Sequence, residues 1–399
     1  PSRRRGPPRG RPSGCPACGD AGAADPIYRV DGVPTQSSVL LSSHLEAVGH
    51  PRGDIDLRLC GACGFLFNAA FDPILVDYAA PAEESQHFSG TFSRFAAALI
   101  DDLSARQDLA GATVVEIGCG RGDFLEALVE RTGARGIGID PGFMAERTDR
   151  PTSLPVAFRR EWFDPSAIPE RPDLVVCRHT IEHVADVAGF VADVASLCED
   201  RRASTFFETP DTARILAEGA FWDIYYEHCS YFTAGSQARL FRRHGLDPTD
   251  VALGYGGQYI LQHTGPGGRR EPFPAEEDPG RIAALAASFR DRVGAIRRGW
   301  ADYVASRRAA GRTIAVWGGG SKAVAFMATD GIGDAVATVV DINPHKQGRF
   351  VPGTGHRIMS PEALVDRPAD TVIAMNPIYL DEIRRTLDAL GIRAELAGL

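Results

Sequence analysis

Tyr225, Tyr226, Glu227 and His228 stand inside the stretch FWDIYYEHCSYF at 221–232, seven of whose twelve residues are aromatic or histidine. That stretch is too polar for dense core and too aromatic for a solvated loop. Its residue types suit proton transfer. His228 can act as a base near neutral pH, Glu227 can orient the imidazole and stabilise its charged form, and Tyr225 can donate to developing oxyanion charge. Phe221, Trp222, Tyr231 and Phe232 are expected to pack around this core, with Cys229 as a small buried filler.

A second set of reactive side chains lies near the start. Cys15-x-x-Cys18 and Cys60-x-x-Cys63 are two pairs, each followed by a glycine. Two residues between thiolates let one turn aim both sulfurs at one ion, and two such turns complete a tetrahedral shell. Four thiolates leave no position for water or substrate, so the Zn2+ expected there is structural. It would hold together residues 15–75, a segment with little core of its own.

The elements that must position these groups follow. Residues 112–122, ATVVEIGCGRG, run from an apolar strand through Glu116 into a turn with Gly118, Gly120 and Gly122, then into the helical pattern DFLEALVERTG. Glycines permit tight turning and close backbone approach to a ligand at a helix N-terminus. About 20 residues on, RGIGIDPG ends a second strand at Asp140, where an acid can grip ribose hydroxyls. A nicotinamide Rossmann loop would read G-x-G-x-x-G. Here an acid stands two places before the first glycine, and the loop resembles motif I of class I S-adenosylmethionine (SAM) methyltransferases. The passage DLVVCRHTIEHVAD (173–186) then belongs under the adenine and beside the methyl group, with His179 as a cofactor contact and His183 as a donor or alternative base. STFFETPD (204–211) follows at βαβ distance.

After HTGPGGRREPFPAEEDPG (263–280), read as a linker, comes a long helical pattern from about 281 to 310. RTIAVWGGGSKAVAFM (312–327) then repeats strand, glycine turn and helix, and the passages at 337–354 and 370–387 add two more strand-to-loop units. Amides of Gly318 to Ser321, with Lys322 and Lys346, are placed to cradle a phosphate. The expected organisation is a flexible basic tail (1–14), a zinc-binding domain (15–75), a methyltransferase domain (76–265) and a C-terminal Rossmann-like acceptor domain (266–399). The class is α/β throughout: a class I methyltransferase sheet flanked by a small metal module and a second Rossmann-like sheet.

This order of parts, with IYYEHCSYF, WGGGSKAVAF and DINPHKQGRFVPGT, resembles the SAM-dependent C-methyltransferases of deoxysugar biosynthesis, which methylate C-3 of TDP-4-keto sugars. The resemblance covers residues 15–399. It implies that Tyr225, Glu227 and His228 line the active site with His228 as base, that His183 is a further active-site histidine, and that Tyr78 faces substrate. It also implies that the cysteine module forms part of the site wall and that the acceptor is a nucleotide sugar. Two departures bear on that acceptor: GYGGQYILQ puts Gln258 and Tyr259 where the family has a polar–Arg pattern, and the loop YAAPAEESQHFSG is longer and more acidic.

A net charge of −9 argues against general nucleic-acid binding, and 399 residues exceed what one core organises. No run of about 18 apolar residues occurs, and the opening has no apolar signal region, so no membrane partner is expected and the cytoplasm is the expected compartment. Rival readings are a SAM enzyme acting on oxygen, nitrogen or a non-sugar carbon, and a SAM-binding scaffold. The histidine and tyrosine density at 225–228 speaks against the scaffold.

Overall fold

The computed structural model describes residues 14–22, 24–144, 153–198 and 203–399. Of the basic tail expected at 1–14, all but Gly14 lies outside these residues. Among the described residues the strands form three sheets.

The first sheet holds β1 (Asp25–Pro34), β2 (Arg52–Leu59) and β3 (Leu66–Asn68), antiparallel throughout. The second is built from β4 (Thr113–Ile117), β5 (Arg135–Ile139), β6 (Val156–Arg159), β7 (Leu174–Arg178) and β8 (Ser204–Pro210). These five strands are parallel, and β4 and β7 are largely apolar runs buried on both faces, as a helix-covered parallel sheet requires, while β8 buries Phe206 and Phe207 among polar residues. The short β9 (Ser230–Tyr231) leaves this sheet and pairs with β3, so the aromatic stretch ends as a strand of the N-terminal sheet.

β10 (Pro248–Gly254) and β11 (Tyr259–Thr264) form a hairpin, and β11 inserts antiparallel beside β8, giving the order β10-β11-β8-β7-β4-β5-β6. His263 and Thr264, read as the start of the linker, are therefore strand residues. The linker is also not loose. Glu277 accepts from the Gly235 amide, and Glu276 holds Arg242 through two 2.7 Å contacts.

The third sheet comprises β12 (Ile314–Trp317), β13 (Thr338–Val340), β14 (Ile358–Met359), β15 (Thr371–Ala374) and β16 (Glu395–Gly398), all parallel. It is the second α/β sheet that the repeated strand and glycine-turn pattern predicts. The 31-residue helix Pro279–Ala309 precedes it, capped by Asp278. No helix among the described residues is long and apolar enough to cross a membrane.

One apolar cluster runs through all three parts, joining Leu57 of the first sheet, Phe221 and Trp222 of the aromatic stretch, Phe289 of the long helix and Val316 of the third sheet. A buried ionic junction reinforces it: Asp223 accepts from Arg214 at 2.6 Å and from Lys322 across the cleft. Removing one member of such a group strands buried charge. Asp223→Ala is expected to lower stability by about 3 kcal/mol in urea unfolding, more than Asp102→Ala, whose carboxylate lies half-exposed.

Candidate active site

In an open parallel sheet ligands bind beyond the carboxyl ends of the strands, where the strand order reverses. Here that point lies between β4 and β7, which are neighbours while β5 lies on the other side of β4. The loops leaving β4 and β7 carry the glycine turn and the residues His179 to His183 respectively.

The glycine turn fits a ligand by several marks. Gly118 has φ +72°, and a Cβ added to it would stand 1.9 Å from the Thr180 hydroxyl oxygen. Gly120, at φ +54°, faces open space. Glu116 is buried with Oε2 unpaired, and burial pushes its pKa up to about 8. Such an orphan acid at a strand end fits a hydrogen-bond donor of a bound cofactor. Asp140 accepts from the amides of Gly120 (3.0 Å) and Gly142 (2.7 Å), so it shapes the turn besides facing it. SAM would supply an electrophilic methyl group there, and Glu116, the glycine turn and Asp140 would be the residues to hold it.

Across Thr180 lies a cleft of about 310 Å³, walled on one side by His179, Glu182, His183, Tyr225 and His228 and on the other by the third sheet. The imidazole of His228 is perpendicular to that of His183 at 4.8 Å and lies 4.2 Å from the Tyr225 ring, between centroids. His228 is buried, and burial followed by the neighbouring His183 and His179 holds its pKa well below the usual value, keeping it neutral. Tyr225 is positioned by Tyr231, whose hydroxyl accepts from its amide (3.2 Å) and donates to its carbonyl (3.0 Å).

The structure corrects three roles. Glu227 does not touch the His228 ring: its carboxylate accepts from the amide (2.9 Å) and hydroxyl of Ser37, and that hydroxyl lies 2.7 Å from Ser321. The carboxylate facing His228 is Glu182, at 4.0 Å from Nε2. The phosphate role expected of Lys322 is also not seen: its ammonium is paired with Asp223. The C-terminal glycine turn itself is shaped as the first one is, with Asp341 accepting from the Gly319 amide (2.8 Å) and Gly318 donating to Val340. His179, expected at the cofactor, lines this cleft; although burial opposes its charge, Glu208 at 2.8 Å raises its pKa to about 9.

Tyr78 is brought close, with its hydroxyl 3.3 Å from the carbonyls of both His183 and Glu227 and its ring edge-on to His183. Residue types alone did not point to Glu182, Ser37 or Glu208. Glu208 had a legible signal, being a carboxylate directly after the two phenylalanines of strand β8; it is held by Arg178 at 2.7 Å. The cleft is closed between sheets by Gln258 and Asn376, whose side-chain amides exchange hydrogen bonds of 3.1 and 2.9 Å.

The four cysteines converge although the pairs lie far apart in sequence. Their sulfurs all fall within 4.8 Å of one another, with Cys15–Cys63 and Cys18–Cys60 each at 3.7 Å. A tetrahedral shell with metal–sulfur bonds of about 2.3 Å has edges of about 3.8 Å. No pair is bonded as a disulfide. The donor set fits a structural zinc.

Comparison with known proteins adds two family models: a methyltransferase domain over residues 86–251 and a C-methyltransferase C-terminal domain over 275–394. The C-methyltransferase NovU of Streptomyces niveus is 28% identical over 288 residues, covering 68% of each chain. The chain is a SAM-dependent C-methyltransferase. A ubiquinone biosynthesis O-methyltransferase from Methylobacterium sp. (strain 4-46) is 42% identical, but over 90 residues, covering 21% of this methyltransferase and 36% of that relative. Among solved structures, magnesium protoporphyrin IX methyltransferase from Synechocystis PCC 6803 superposes at a TM-score of 0.34 with 14% identity, over 46% of this chain and 85% of its own.

The methyltransferase's glycine turn yields a direct test. Gly118→Ala forces a side chain into the left-handed region and onto Thr180. Calorimetric titration with S-adenosylhomocysteine is expected to show affinity at least about tenfold weaker, about 1.4 kcal/mol, with the fold retained by circular dichroism.

Proposed function

We propose that the enzyme deprotonates and methylates the carbon alpha to a ketone, and that its acceptor is a TDP-linked keto-deoxysugar in branched-sugar biosynthesis. The observation that carries this reading is the trio of buried His228 with part-buried His183 and Tyr225, open to a cleft bounded by the third sheet. An ordinary C–H carbon has no lone pair for an electrophilic methyl. A ketone beside it acidifies the proton, and the protein must supply a base and a donor for the enolate oxygen.

In this reading His228 takes the proton and Tyr225 donates to the oxygen, with His183 as a second donor. Tyr78 braces the loop that carries His183. The opposite wall offers Ser321, Asn343 and Asn376 with Trp317 and Tyr379, a mixture of polar and aromatic groups suited to hydroxylated rings and a nucleobase. A non-sugar acceptor is the second reading, favoured by the pairing of Lys322 with Asp223, which commits that ammonium elsewhere than to a phosphate.

Deuterium exchange from solvent into a TDP-4-keto-deoxysugar, in the presence of S-adenosylhomocysteine, tests both points. Exchange alpha to the ketone is expected in the wild type and a fall of at least about 100-fold in His228→Asn. Full exchange in the variant would remove His228 as base. Exchange with simple ketones but not the TDP sugar would move the acceptor to the second reading.

We also assign Zn2+ to Cys15, Cys18, Cys60 and Cys63. Metal analysis of the washed protein is expected to give one zinc per chain, and Cys60→Ser is expected to lose it together with the melting transition of the N-terminal sheet.

A further inference from the structure

Outside the cysteine quartet, the described residues hold a second set of groups whose chemistry suits an ion. Glu182, His183 and His228 each present a donor atom, and these atoms lie within 4.8 Å of one another. The Glu182 and His228 side chains are almost wholly buried, at 2% and 5% exposure, and the cleft reaches all three.

Two of these side chains lack partners in a place where buried polar atoms normally have them. Both carboxylate oxygens of Glu182 and Nδ1 of His183 make no hydrogen bond. His179 Nδ1 stands 3.6 Å from Oε1, an ion-pair distance, while Nε2 of the same ring meets Glu208 at 2.8 Å. The other acid nearby, Glu227, is taken by Ser37. A buried carboxylate and an imidazole nitrogen without hydrogen bonds, both beside a second imidazole, are costly for a dry site, and they are what an ion would satisfy.

We propose that Glu182, His183 and His228 form a binding site for a borderline divalent cation of the Mn2+, Fe2+ and Zn2+ class. Two imidazoles and one carboxylate with open positions facing a cleft are the donor set such ions take. Bonds of about 2.1 Å require the donor atoms to draw together by about 1 Å, which side-chain rotation supplies. The site shares His228 with the proton-transfer reading given above and rests on that reading for its consequence: an ion that takes the His228 lone pair withholds it from the acceptor. Thiolates are poor ligands for Mn2+, so this ion distinguishes the cleft from the cysteine quartet.

Mn2+ is therefore titrated into the full chain, followed by electron paramagnetic resonance, with zinc content measured before and after. The expected result is one bound Mn2+ per chain, with zinc unchanged. Glu182→Gln and His183→Asn are expected to weaken Mn2+ binding at least tenfold, while still binding S-adenosylhomocysteine, which shows that the variants are folded. No binding at millimolar Mn2+, or equal binding by wild type and both variants, overturns the site and leaves the methyltransferase reading intact. Deuterium exchange measured along the same titration separates the two: a fall that tracks occupancy supports the site together with the role of His228 as base. Confirmed binding with undiminished exchange keeps the site and removes that role.

Discussion

The architecture turns on how one short polypeptide is pinned at both ends. Asp223 begins the stretch as a buried carboxylate shared by Arg214 and by Lys322 of the C-terminal part. β9 ends it, paired with β3 of the N-terminal sheet. Between these anchors the side chains alternate in allegiance. Tyr225 and His228 face the cleft, Tyr226 sends its hydroxyl to the Asp72 amide at 2.8 Å, and Glu227 reaches Ser37. The backbone has no freedom to present them otherwise. A Cβ on Gly53 of β2 would stand 2.3 Å from the Tyr226 ring, so even the approach of the N-terminal sheet is set by this segment.

A second constraint is the low polarity of the interior. Arg178 and His179 both pair with the buried Glu208 carboxylate, and Arg178 also lies over the Phe124 ring at 4.1 Å. Burial would push Glu208 up, yet Arg178 and His179 hold its pKa near 2. The pairing fixes the end of β7 and the loop that follows, including His179 itself at φ +48°, a conformation rare for a residue with a Cβ. The loop geometry beside the cofactor turn is thus maintained electrostatically as well as by packing.

Much of this was legible in the sequence. Apolar runs and glycine turns located the central strands of both parallel sheets, because runs buried on both faces and glycines at φ > 0 leave clear marks, whereas the outer strands β6, β14 and β16 left none. The Cys-x-x-Cys pairs, the glycine turn with Asp140, and the cluster at 225–228 were readable because their spacing is local. What escaped was set by partners far away in the chain. Lys322 looked like a phosphate ligand because nothing local says that Asp223, ninety-nine positions earlier, neutralises it. Glu227 looked like the partner of its neighbour His228, whereas the chain direction at that point turns consecutive side chains to opposite walls. Only β11, inserted between β8 and β10, placed residues that had been read as linker inside a sheet.

The contact between Glu227, Ser37 and Ser321 has a meaning for the history of each molecule. It joins the N-terminal, central and C-terminal parts at one carboxylate, with 284 positions separating the two serines. Closure of so long a loop comes late in folding, because its entropy must be offset by contacts formed earlier. A chain emerging from the ribosome can therefore complete its first glycine turn well before the third sheet exists. Synthesis itself imposes an order: one wall of the cleft is ready first, and the sheet that closes it arrives last.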